Sequence, residues 1–174
     1  MVKTNINLFA EGEVVYTDGG VLAEFAWVLV VLPFIAALII TFAGKSLPLK
    51  GAEIALGTIG IIFVYSLALM YLHVTEGVAN EFFINVGNIG QFDIEFGWVV
   101  DGLSIMMYFV VGLVALLVFI YATNYMEGEI RYTFFFTSLT LFAGSMLVLV
   151  SSPTLIQILI GWELVGVCSY LLIG

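Results

Sequence analysis

The sequence predicts an all-α membrane protein of about five transmembrane helices carrying a small external β-hairpin. Three observations predict it. First, the 174 residues are 63% hydrophobic and only 10% charged, with a mean hydropathy of +1.20, whereas a soluble domain carries about 25% charged residues. Second, five apolar runs are each long enough to cross a hydrocarbon core of ~30 Å at ~1.5 Å rise per residue. Third, one stretch, at about residues 81–98, alternates with a period of two, the pattern of a half-buried strand.

Residues 1–20 are polar and acidic, with no short apolar core behind a basic start. They read as a flexible or interfacial lead and not as a cleavable signal. The first span is predicted over 21–43. Pro33 sits near its middle and is expected to kink it, which membrane helices tolerate. Glu24 lies near the span's start and can remain at the interface. The loop GKSLPLKG, with Lys45 and Lys50 around Pro48, is tight and basic, so by the positive-inside rule it faces the cytoplasm. The second span is predicted over 52–74, with His73 at its exit. That histidine has no second histidine with which to hold a metal, and it reads as an interfacial residue.

In the stretch after it, Phe92, Ile94, Phe96 and Trp98 alternate with Gln91, Asp93, Glu95 and Gly97. Phe82, Ile84 and Val86 alternate likewise, and the glycines with Asn88 supply a turn. Asp101 is then predicted to cap the third span, over 102–125, because a carboxylate there accepts free helix N–H groups and suits the helix dipole. Tyr108, Tyr121 and Tyr125 lie near its two ends, as an aromatic belt would place them. The fourth span is predicted over 131–151 and the fifth over 153–174. This order puts the N-terminus and the acidic hairpin outside and the 126–131 loop inside. The fifth helix reaches Gly174 without a polar flank, so the sequence reads as a piece of something longer.

The fifth span holds one carboxylate, Glu163, ten residues past Pro153 and so ~15 Å along a helix, near the bilayer midplane. Insertion of an ionisable residue there costs roughly 2.5–3.5 kcal/mol, which marks it as a functional candidate. The competing reading is a structural carboxylate that joins two helices. Residues on its face include Gly166, where another backbone can approach, and Tyr170. Tyr170 is either a hydrogen-bonding partner for the carboxylate, directly or through a water, or a packing aromatic. The five spans contain no Lys or Arg well inside them, so a cationic partner for Glu163 has to come from elsewhere. Such a pairing adjusts the carboxylate's proton affinity, as a proton relay requires. Cys168, the single cysteine, reads as a buried packing thiol. Only Lys3, Lys45, Lys50 and Arg131 are basic, which argues against a nucleic-acid partner.

From Gly97 onward the residues resemble a known family. The run Asp101-Gly102-Leu103-Ser104, the YATNYM segment over 121–126, Arg131 with Phe134, Phe135 and Phe136, Ser145-Met146-Leu147, Gly161-Trp162-Glu163-Leu164-Val165-Gly166 and Ser169-Tyr170-Leu171-Leu172-Ile173-Gly174 together resemble chain 5 of the respiratory NADH:quinone oxidoreductase, complex I (the L subunit in bacteria). The resemblance is close over about 97–174, while the first two spans and the hairpin match in layout. It implies a division into the lead, residues 1–20, an N-terminal region, 21–140, and the start of a proton-conducting antiporter-like module, 141–174. It also implies a non-redox subunit of a membrane arm, with the other membrane-arm subunits and the lipid bilayer as its partners. Electron transfer from NADH to quinone, on FMN and iron–sulfur clusters carried by other subunits, is coupled there to proton movement. This chain then needs no cofactor, metal or catalytic residue of its own. Glu163 matches the glutamate that in the family pairs with a lysine of a later helix and gates a half-channel, with Tyr170 beside it. The implied location is the cytoplasmic membrane, multi-pass, N-terminus outside. Two other functions stay open on the sequence: a subunit of an Mrp-type sodium/proton antiporter, and a small structural membrane protein without transport.

Overall fold

A computed structural model describes residues 17–18, 20–89 and 92–173. In chain order it contains strand β1 (Thr17–Asp18), a short helix α1 (Gly20–Glu24), α2 (Trp27–Ala43) running into a 3-10 turn (Gly44–Ser46), and α3 (Ala52–Glu76). Then come strands β2 (Val78–Ile89) and β3 (Phe92–Val100) and helices α4 (Gly102–Tyr125), α5 (Tyr132–Ser151) and α6 (Leu155–Ile173). Five helices, α2 to α6, are long and apolar enough to cross a membrane. The most extensive pairings are α3 with α4, α2 with α5, and α5 with α6. Helix α6 therefore lies at the outside of the bundle and packs chiefly on α5.

The first span begins later than 21. A continuous helix would use the Leu22 carbonyl for the Ala26 N–H. Instead the Tyr65 hydroxyl donates to Leu22 O at 2.6 Å, and Ala26 N–H turns to Ala23 O. The helix breaks at Phe25–Ala26, leaving Glu24 exposed on α1 ahead of the membrane helix. Pro33, expected to kink the span, lies inside one continuous α2. It is buried against α5 at Gly144, whose added Cβ would sit 3.0 Å from Pro33 Cβ.

The hairpin is present and longer than 81–98. Strands β2 and β3 pair antiparallel from Asn80 opposite Val100 to Ile89 opposite Phe92, with a register shift between Asn85 and Gly87. Asn88, expected in the turn, is instead paired opposite Asp93; Gly90 and Gln91 lie outside the described residues. On this sheet Phe82 stacks on Trp98 with ring centroids 4.4 Å apart. The lead is tied down at one point, because Thr17 and Asp18 pair in parallel with Val78 and Ala79. Its residues 1–16 and 19 lie outside the described residues.

Asp101 caps α4 as expected. Its Oδ1 accepts from Ser104 N–H at 2.7 Å while Ser104 Oγ accepts from Asp101 N–H at 2.8 Å, a reciprocal capping box. Tyr121 and Tyr125 stack 5.6 Å apart and are 67% and 68% exposed, as belt residues. Tyr108 departs from the belt: it is 0% exposed. It falls on the face of α4 shared with Ser104 and Gly112, which is turned into the bundle. At Gly112 an added Cβ would meet the Phe63 backbone at 3.2 Å.

Hydroxyls within the spans bond back to their own helix. Thr41, Thr137, Ser138, Thr140, Ser145, Ser151 and Ser169 each donate to the carbonyl four residues earlier. In hydrocarbon, where no water is available, this keeps each hydroxyl satisfied without a partner helix.

The sheet is fastened to α6 by a two-way bond. Gly97 N–H donates to Gln157 Oε1 at 2.9 Å, and Gln157 Nε2 donates to Gly97 O at 2.8 Å. Both residues are buried. Gly97 is required, since any Cβ there would overlap the Phe82 carbonyl oxygen. Thr154 adds a bond to Glu95 O at 3.2 Å. Gln157→Leu keeps the volume but orphans both polar groups of Gly97. It is expected to cost at least about 2 kcal/mol, read as a lower Tm and faster hydrogen exchange at the Gly97 amide.

Candidate functional site

The site grows from the way α6 divides its faces. Gln157, Gly161 and Cys168 are its buried residues. They share the face against α5, where an added Cβ on Gly161 would come within 3.0 Å of both Leu149 Cα and N. This is the close backbone approach expected at Gly166; at Gly166 itself an added Cβ meets nothing within 4 Å. Helix faces repeat at three, four and seven residues, so Glu163, two residues beyond Gly161, is turned almost directly away from α5.

Glu163 is the ninth of the nineteen residues of α6, close to mid-helix, and exposed. Trp162 beside it is 63% exposed and Tyr170 is 76% exposed. Tyr170 lies two turns along the same face, but among the described residues it makes no hydrogen bond to the carboxylate, and no cation pairs with Glu163. Only 17% of the apolar window of α6 is buried, against 28–39% in the other four spans. A carboxylate half-way along so uncovered an apolar helix is too costly to leave against lipid. Its surroundings must come from protein or water that meets this face.

Two other candidates are placed clearly. Cys168 is 4% exposed, free, and 3.8 Å from Ser145 Oγ. His73 is half-buried at the hairpin end of α3; its Nδ1 donates to Val78 O at 2.7 Å, joining the end of α3 to the start of β2. Its Nε2 lies against Gly102, where an added Cβ would be 2.9 Å away. Among the described residues no three His, Cys, Asp or Glu side chains converge as a metal site.

The sequence reading missed a polar cluster inside the hairpin end of the bundle. The Tyr108 hydroxyl lies near Ser151 and the Asp101 carboxylate, yet it and Trp98 Nε1 are buried with no hydrogen-bond partner. The signal for it was the four-residue spacing of Ser104, Tyr108 and Gly112. At the rim, Glu81 is partly buried, and that burial together with the neighbouring Asp101 carboxylate raises its carboxyl above the usual value.

Residues 87–136, from β2 through α4 to the start of α5, match the family described as NADH-Ubiquinone oxidoreductase (complex I), chain 5 N-terminus. The chain is similar to complex I chain 5. It is 39% identical over 160 residues to NAD(P)H-quinone oxidoreductase chain 5 of Synechocystis sp., covering 88% of this chain and 24% of the relative. It is 37% identical over 158 residues to the organellar chromatophore subunit 5 of Paulinella chromatophora, covering 87% and 24%. The chloroplastic subunit 5 of Chlorokybus atmophyticus gives the same identity and coverage. Alignments of this length reach far upstream of residue 97, so the similarity to chain 5 takes in earlier spans, which had been expected to match in layout alone. The chain spans about a quarter of the length of these chain 5 relatives. With its five apolar helices, it is a multi-pass membrane protein.

Two outcomes follow for the hairpin end. Removing an unpaired buried hydroxyl relieves a desolvation penalty of about 1–3 kcal/mol, so Tyr108→Phe should leave Tm unchanged or raise it. A clear fall would mean that the hydroxyl is held after all, by the nearby Ser151 or by a bound water. For Glu81, a raised carboxyl favours the protonated form in the fold, so its stabilising contribution is present at acid pH and lost as pH rises through the raised value. Glu81→Gln should therefore raise Tm slightly near neutral pH, with the gain disappearing below about pH 4.

Proposed function

We propose that this chain supplies the N-terminal part of chain 5 in the membrane arm of a respiratory NADH:quinone oxidoreductase, where it takes part in coupling electron transfer from NADH to quinone with proton translocation. The observation that carries the reading is Glu163: a mid-helix carboxylate without an ionic partner among the described residues, on the one face of α6 that no other helix covers. Similarity to chain 5 supports it. In this reading Glu163 is the proton-carrying group. Burial by neighbouring helices would raise its proton affinity and a cation from a later helix would lower it, so the group can switch between the two states. Tyr170, two turns further along the same face, would position water or a hydroxyl beside it. The redox groups, FMN and iron–sulfur clusters, would belong to other subunits, and the other membrane-arm subunits would be the partners that cover this face.

The proposed placement is the cytoplasmic membrane with the N-terminus outside. The two basic loops, at Lys45 and Lys50 and at Arg131, lie together at one end of the bundle, with the hairpin at the other, as the positive-inside rule requires of one cytoplasmic side.

Glu163→Gln in the whole complex tests the proposal. It keeps shape and hydrogen bonding and removes only the titrating proton. The expected result is an assembled complex whose proton pumping, measured by acidification in sealed vesicles, falls at least about tenfold, the usual lower range for losing a proton-transfer group. Normal assembly with undiminished pumping would sink the relay role.

A further inference from the structure

The sequence holds four basic residues, and three of them meet at one place. Lys45 and Lys50 follow α2, Arg131 precedes α5, and all three line a single cavity of about 600 Å³ together with Ile130, Tyr132, Thr133 and Phe134. Placing positive charge on the cytoplasmic side needs only that these residues lie in the right loops. It does not need two loops more than 80 residues apart to converge.

The convergence is built into the backbone. Thr133 Oγ1 donates to Lys50 O at 3.1 Å, across 83 residues of sequence. Lys50 itself is held at φ 50°, the only left-handed non-glycine among the described residues, followed by Gly51 at φ 98°. The left-handed conformation is unfavourable for a lysine, so the surrounding contacts hold this turn in one shape. Gly44 is close-packed beneath it, since an added Cβ would sit 2.8 Å from Thr133 Cγ2.

No carboxylate lines the cavity. Glu53 and Glu127 lie near Tyr132; Glu53 Oε1 accepts from the Leu49 N–H at 3.4 Å, while its Oε2 is buried without a partner. Among the described residues neither Lys45 nor Lys50 is in an ion pair. Two of its apolar lining residues are open, Ile130 at 101% and Phe134 at 45% exposed, and Phe42 and Leu49, close to the two lysines in sequence, are exposed as well. The cavity thus lies at the ends of helices long enough to cross a membrane, with cations inside and apolar side chains at its edge.

We infer that this cavity is a binding site for the phosphate headgroup of an anionic phospholipid. The Lys45 and Lys50 ammonium groups would hold the phosphate, and the acyl chains would lie along Phe42, Ile130 and Phe134. Basic pockets between membrane helices at the cytoplasmic face favour such headgroups. A free phosphate ion would use the cations but not the apolar edge.

The test uses the whole native complex, purified in detergent and titrated with a photoactivatable phosphatidylglycerol, with labelling read on peptides from residues 42–53 and 126–136. Each basic side chain at an anionic surface contributes enough for about fivefold in affinity, so Lys45→Gln/Lys50→Gln should raise the half-saturating lipid concentration about thirtyfold. Lys45→Arg/Lys50→Arg keeps the charge and should label like the wild type, and photoactivatable phosphatidylcholine should label these peptides weakly. Equal labelling of the wild type and the glutamine variant would overturn the site. So would equal labelling by the two lipids, and so would loss of labelling in inorganic phosphate, which would assign the cavity to a free anion. If the glutamine variant does not assemble, the two-lipid comparison and the phosphate competition on the wild-type complex still decide.

Discussion

Hydrocarbon offers no hydrogen bonds, and most of the architecture answers to that fact. Every backbone polar group inside the membrane has to find its partner within the protein. The helices meet this with their own backbones, and the span hydroxyls meet it by bonding back to carbonyls one turn earlier. The consequence is that helices are joined by shape more than by polar cross-links. Gly112, Gly144 and Gly161 each sit where a neighbouring helix comes too close for a side chain to be added without displacement, which is how membrane helices gain contact without a hydrophobic driving force between them.

Apart from the weak Ser145–Cys168 contact between α5 and α6, the polar cross-links between elements among the described residues engage a loop, a strand or the short helix α1. Tyr65 reaches Leu22, His73 reaches Val78, Gln157 grips Gly97, and Thr133 takes Lys50. Three of these four join elements at least 43 residues apart. The loops and the sheet therefore set the relative positions of the helices, and the helices supply the apolar contact that keeps them there. In this division the hairpin is a bracket: it is bonded to α6 through β3 and to the end of α3 through β2.

Much of this was legible in the sequence, because length and hydropathy alone locate apolar spans. Helices α3, α4, α5 and α6 begin and end within two residues of the expected limits, and the capping box at Asp101 was readable from residue type and place. What failed did so for tertiary reasons. The late start of α2 depends on a tyrosine 43 residues away. Tyr108 looked interfacial by its position along the helix, but its angular position turns it into the core. Gly166 and Gly161 are equally small, and only the packing of α6 on α5 chooses between them. For the candidate site, Glu163 was identifiable from its depth, whereas the identity of the buried face of α6 was not. That face depends on Gln157, whose partner is a backbone 60 residues upstream.

The open face of α6 also bears on how such a chain is put together. A helix carrying an uncovered carboxylate at mid-depth is the span least content in lipid, and its discomfort lasts until something with a matching surface arrives. The other four spans can settle early, since their neighbours are already present in the chain. On that physical ground α6 is the span whose seating depends most on a surface beyond the other four, because so little of it is covered by them.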